Sequence, residues 1–154
     1  MQHDVVTVRT AHEQIKIFCE FAEKFKTDFQ EKDLRKFLDM EFSQLCSFLR
    51  SHYCLEKGEQ ILRPKYFAEI SSDCDDATIF CIACFRAAGI DKKNIFLVEA
   101  KETAQSEDYV HIFCALRDPE TKEFLWFDNL PGTEFNRLDY SAQQIRITPL
   151  AKYI

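Results

Sequence analysis

The sequence predicts an α+β domain, with helices packed on an antiparallel sheet. Two observations lead there. Apolar side chains recur at helical spacing as far as Ala88, and from Ile95 onward they gather in short runs of strand length. Gly and Pro are scarce, with 3 and 4 copies, which argues against a loop-dominated scaffold.

Thr10 is placed to cap the first helix, with Glu13 three residues on as the return partner of a capping box. Ile15, Phe18, Phe21, Ala22 and Phe25 then follow on one face. A second helix is predicted from Glu31, carried by Leu34, Phe37, Leu38, Phe42, Leu45 and Leu49, with Lys57-Gly58 as its stop. Pro64 interrupts any regular element between 59 and 71. A third helix runs from Asp73 to Ala88. Ser72 or Asp73 caps it, Asp75 and Asp76 sit in its first turn, and Gly89 ends it. Its scarcity of polar residues predicts burial on most sides. Strands are predicted over residues 95 to 100, 109 to 116 and 123 to 128, with a weaker one over 144 to 148.

A chain of 154 residues, nearly half of them apolar and 15 of them Phe, suits one domain over residues 1 to 154 with a core that needs no staples. The net charge of -6, with bases interspersed among acids, excludes a duplex nucleic acid as partner. No apolar run reaches membrane-spanning length, and the first residues lack a signal-peptide pattern, so a cytoplasmic location and no membrane partner are expected. Seven cysteines, an odd number without a regular framework, read as free thiols. No cofactor motif is present.

The hairpin between the second and third strands carries the chemistry. Asp118-Pro119 signals its turn. A turn symmetric about Pro119–Glu120 sets Arg117 opposite Lys122, Phe113 opposite Trp126 and His111 opposite Asp128. That register puts an imidazole and a carboxylate on one face, Cβ atoms about 5 Å apart. A one-residue slip would separate them. Such a pair orients an imidazole and stabilises its charged form. Cys74 lies in the first turn of the third helix, where unsatisfied backbone N–H groups and the helix dipole favour a thiolate. The neighbouring Asp73, Asp75 and Asp76 would oppose this unless they point away into caps and solvent. Cysteine, histidine and carboxylate in this arrangement are the parts of a thiolate nucleophile system. The Cys74 backbone N–H is the natural oxyanion donor. Gln60 has suitable chemistry for a second but sits far upstream.

These residues carry a resemblance. Ser-Asp-Cys-Asp-Asp followed by an apolar helix ending in Arg-Ala-Ala-Gly-Ile resembles the nucleophile motif of the transglutaminase-like superfamily. Tyr-Val-His-Ile-Phe resembles its histidine strand, and Phe-Leu-Trp-Phe-Asp its aspartate strand. The order Cys, His, Asp fits a compact member of bacterial or phage type, and the resemblance spans residues 60 to 130. It implies a papain-like core and a Cys74–His111–Asp128 triad. It also implies acyl chemistry on the amide bonds of a protein or peptide substrate, by hydrolysis or by transfer to an amine. The chain departs from the family at Ser72, where glycine is common, and at Asn129, where proline is common.

Each of these readings competes with a plainer one. Cys74 alone would pass for an inert thiol, and His111 alone for a strand histidine satisfied inside the fold; their pairing with Asp128, costly to bury alone, favours the triad. Cys81 and Cys84 form a C-x-x-C in mid-helix, which reads as packing rather than as a redox or zinc motif. Asp73, Asp75 and Asp76 lack the spacing of a calcium loop. The rival functional class is a binding module that keeps the papain-like fold without catalysis.

Overall fold

The computed structural model describes residues 3–5, 11–27, 40–52, 60–62 and 73–154. Within them the architecture is α+β. Two short strands, β1 (His3–Val5) and β2 (Gln60–Leu62), pair antiparallel. Three helices follow the chain: α1 (Ala11–Phe25), α2 (Phe42–Ser51) and α3 (Cys74–Ala87). The strands β3 (Ile95–Ala100), β4 (His111–Arg117), β5 (Phe124–Phe127) and β6 (Ile145–Pro149) form an antiparallel sheet in the order β5-β4-β3-β6.

The central strands explain their own composition. Every residue of β3, and all of β4 but its last, is buried. A strand covered on both faces needs an apolar run, not an alternation. Ile95, Leu97, Ile112, Cys114 and Leu116 face the helices, whereas Phe96, Val98, Phe113 and Ala115 face a second apolar layer with Trp126, Leu138 and Tyr140. Edge strand β6 exposes Arg146 and Ile147. Its Arg146 forms two hydrogen bonds, at 3.0 and 2.7 Å, with the buried carboxylate of Glu99 across the ladder. The pairing offsets the cost of burying that charge.

Helix α3 is the central helix. Its residues from Asp76 to Phe85 are all buried. It packs on β4 and lies against α1 and β2. Arg86 grips Glu23 of α1 at 2.8 and 3.1 Å, which holds the Glu23 carboxyl at about 2, below its ordinary value. Asp73 is the N-cap, its carboxylate accepting from the Asp75 N–H. At the other end Gly89 N–H donates to Arg86 O and Ile90 N–H to Phe85 O, with Gly89 at φ +87. This is the six-to-one and five-to-two pairing that a left-handed glycine closes.

Most of the elements lie where the sequence places them, but some differ. The helix expected from Glu31 to Lys57-Gly58 is shorter: Glu41 caps it, it runs over Phe42–Ser51, and His52 closes it. Residues 31–39, Lys57-Gly58, the Thr10 cap and Ser72 lie outside the described residues. β2 falls in the stretch that Pro64 was expected to interrupt, and β4 and β5 are offset by one or two residues from the predicted spans. The hairpin register needs correction. Cys114 pairs with Phe127 and Arg117 with Phe124, so Phe113 does not face Trp126, nor His111 Asp128. The cause is the turn. The Asp118 carboxylate accepts from Glu120 N–H and Thr121 N–H, and Lys122 takes a positive φ of 65, so the loop closes on Asp118 and Glu123. The register shifts by two residues, an even step, so His111 and Asp128 stay on one face.

Among the described residues, no helix is long and apolar enough to cross a membrane.

Candidate active site

His111 opens β4, and Asp128 lies just past the end of β5. The register places them on a diagonal rather than directly opposite. The longer reach is closed by the side chains: His111 Nε2 stands 2.8 Å from Asp128 Oδ1. Both are buried, Asp128 almost completely. A carboxylate oxygen accepts, so Nε2 is the donor of this bond. The carboxylate is itself fixed, because the Leu130 N–H donates to Oδ1 at 3.2 Å. Its backbone carbonyl accepts from Thr133 Oγ1 and from the Cys46 thiol of α2. Asp128 Oδ2 is buried with no hydrogen-bond partner among the described residues.

Cys74 is the first residue of α3 and is half-buried. It and His111 line one cavity of about 480 Å³, together with Asp73, Asp75, Tyr109 and Val110. The thiol does not follow the expectation of an acidified nucleophile. Burial pushes it well above its ordinary value, and the charges of Asp75 and Asp73 add to this. A hydrogen bond from the Ile112 backbone N–H works the other way. Asp73 points into its cap as expected, but Asp75 does not turn away: Cys74 Sγ lies 3.9 Å from its Oδ1. Burial and these charges favour the thiol over the thiolate. Asp73 itself is pushed up to about 6 by burial and then by the charge of Asp76.

The Asp75 contact yields a direct expectation. Asp75→Asn removes a facing charge and leaves the Asp73 cap intact. The pH midpoint of Cys74 alkylation should fall, on the order of one unit. A midpoint unchanged in a pH series would show that Asp75 does not act on the sulfur.

Of two further residues of the site, Tyr140 had no functional signal in the sequence and Asn129 stood out only as the loop residue after Asp128 where the family often has proline. Tyr140 comes from a loop and stacks over Phe113 at 5.9 Å, with its ring 6.5 Å from that of His111. Burial, then the charges of Asp128, Asp139 and Cys74, raise its phenol. Asn129 is almost fully buried, and its amide donates to Thr78 Oγ1 at 3.4 Å and to Ile112 O at 3.1 Å. Neither contact could be read from spacing, since both join elements distant in the chain.

Cys81 and Cys84 are buried in the core on α3 and are free thiols, as are Cys19, Cys46 and Cys114. The side chain of Gln60 is not among those described. Among the described residues, no group of three or more His, Cys, Asp or Glu side chains is arranged to hold a metal ion. No protein-family model matches the chain, and searches of curated proteins and of solved structures returned no match.

Proposed function

We propose that this chain is a papain- or transglutaminase-like thiol enzyme acting on amide bonds of a protein or peptide in the cytoplasm, with no cofactor. The observation that carries the reading is that His111, whose Nε2 Asp128 holds at 2.8 Å, lines the same cavity as Cys74. In this reading His111 Nδ1 accepts the thiol proton as Sγ attacks the carbonyl carbon, because the buried thiol is not ionised beforehand. A C–S bond forms, the proton passes to the leaving amine, and the C–N bond breaks to leave a thioester. Water, deprotonated by His111, then releases the acid; an amine in place of water gives acyl transfer. The Cys74 N–H at the head of α3 serves as oxyanion donor.

A second reading has its own support. The contact of Cys74 Sγ with the Asp75 carboxylate suits a non-catalytic binding module, in which the cavity holds a peptide without attacking it. Iodoacetamide labelling at neutral pH, mapped by mass spectrometry, separates the two. The enzyme reading expects selective labelling of Cys74 and amine release from a peptide panel that Cys74→Ser abolishes. Labelling no faster than that of a free small-molecule thiol, with no turnover, leaves the binding module.

A further inference from the structure

We propose that Thr78 and Asn129 are positioning residues, a buried clasp that sets helix α3, and with it Cys74, against the His111–Asp128 pair. The proposal rests on the thiol-enzyme reading for its purpose but on separate geometry for its existence.

The argument begins at the end of the β4–β5 ladder. The last paired residues are Cys114 and Phe127. Continued two residues further, the same register would set Asn129 opposite Ile112. The backbone ladder has stopped by then, and Ile112 O needs a donor, since a buried carbonyl is seldom left without one. The Asn129 side-chain amide supplies it at 3.1 Å. Thr78 Oγ1 of α3 supplies a second at 3.2 Å, filling both lone pairs of the carbonyl. The second amide proton of Asn129 bonds to Thr78 Oγ1 at 3.4 Å, which closes a three-membered ring of contacts. Helix, strand and aspartate loop thus meet at one carbonyl.

Each member of the ring adjoins or shares a face with a member of the triad. Asn129 follows Asp128, and Ile112 follows His111. Thr78 lies one turn after Cys74 on the same helix face. The Ile112 C=O, next in the chain to His111, is held from two sides by the clasp. Thr78 and Asn129 are each 1% exposed, so water does not compete for these bonds. The amide orientation follows from the ring, because exchanging Oδ1 and Nδ2 would set two acceptors face to face at Ile112 O. Asn129 Oδ1 is left buried with no partner among the described residues. A polar residue kept where one of its atoms goes unsatisfied fits a requirement of geometry better than one of stability.

The test uses the full chain with Thr78→Val, which keeps shape and removes the hydroxyl, Thr78→Ser, which keeps the hydroxyl, and Asn129→Ala. Three quantities are read: the pH profile of Cys74 alkylation, the ring ¹⁵N shifts and titration midpoint of His111, and the urea midpoint. The expected result for T78V and N129A is Cys74 labelling about tenfold to a hundredfold slower, with displaced His111 ring signals, in protein that still unfolds in one transition. T78S should restore both readouts. Lowered urea midpoints with wild-type labelling profiles and wild-type His111 signals would reduce the clasp to ordinary packing and overturn the proposal. If wild-type Cys74 is itself inert, the thiol-enzyme reading fails, and the clasp is judged by the His111 signals alone. Unchanged signals in T78V then overturn it. Should T78V or N129A not fold, Asn129→Ser, a donor of shorter reach, is read by the same two site measurements against the same outcomes.

Discussion

Alanine at His111 is expected to lower Cys74-dependent amide turnover by about 10²–10⁴-fold, the range ascribed to a positioned general acid and base. Two features set the size. The thiol is pushed up by burial and by Asp75 and Asp73, so little thiolate exists without a base to take the proton. And His111 is held at 2.8 Å by Asp128, so its orientation is paid for in advance. Alkylation of Cys74 should slow in parallel, because the same proton must leave. The variant also strands a buried carboxylate, which lowers stability, so the kinetic comparison requires urea unfolding as a control. A folded H111A variant that labels and turns over like wild type would remove His111 from the mechanism.

The largest loss of stability is expected at Phe127. Its side chain is fully buried and packs edge-on against Phe42 at 5.4 Å, Phe85 at 5.0 Å and Phe135 at 5.6 Å. It ties α2, α3 and the loop after β5 to the sheet. Phe127→Ala removes a large buried ring from a site that three other rings prevent from collapsing, so a cost of about 3–5 kcal/mol is expected. In a chain of this size that lowers the thermal midpoint by roughly 6–20 °C. Phe127→Leu should recover much of the difference. The substitution also loosens the residue just before Asp128, so the His111 ring signals should broaden in the alanine variant. A midpoint within two or three degrees of wild type (about 1 kcal/mol at this size) would show that the aromatic cluster is not a centre of stability.

The candidate site was readable from the sequence because three of its signals are local. Cys74 stands one residue after an N-cap, and Asp73 caps α3 as its type and position require. His111 and Asp128 flank a hairpin whose turn residues announce it. Their pairing survived an error in register because the two-residue shift preserves the face of every side chain. The error came from Asp118 and Lys122. An aspartate bonding two N–H groups and a lysine at positive φ lengthen the loop by two residues on the β5 side, and neither choice is encoded in the dipeptide Asp-Pro.

What escaped the sequence was contact across the fold. Asp75 was expected to point to solvent and instead faces the Cys74 sulfur, because the first turn of α3 is half-buried under the cavity rim. Asn129 looked like a departure in a loop, yet it supplies a donor that the ladder lacks. Tyr140 reaches the imidazole from a loop with no periodic signal.

By itself the sequence determined the α+β class, the boundaries of α3 and β3, the hairpin, and the shared face of His111 and Asp128. These depend on side-chain periodicity and on caps, interactions between residues a few positions apart. The three-dimensional structure alone decided the register, the surroundings that raise the Cys74 thiol and the junction at Ile112. The register turns on which N–H groups the Asp118 carboxylate takes, the thiol on the water that burial removes and on the side Asp75 faces, and the junction on groups brought together from positions 17 to 51 residues apart.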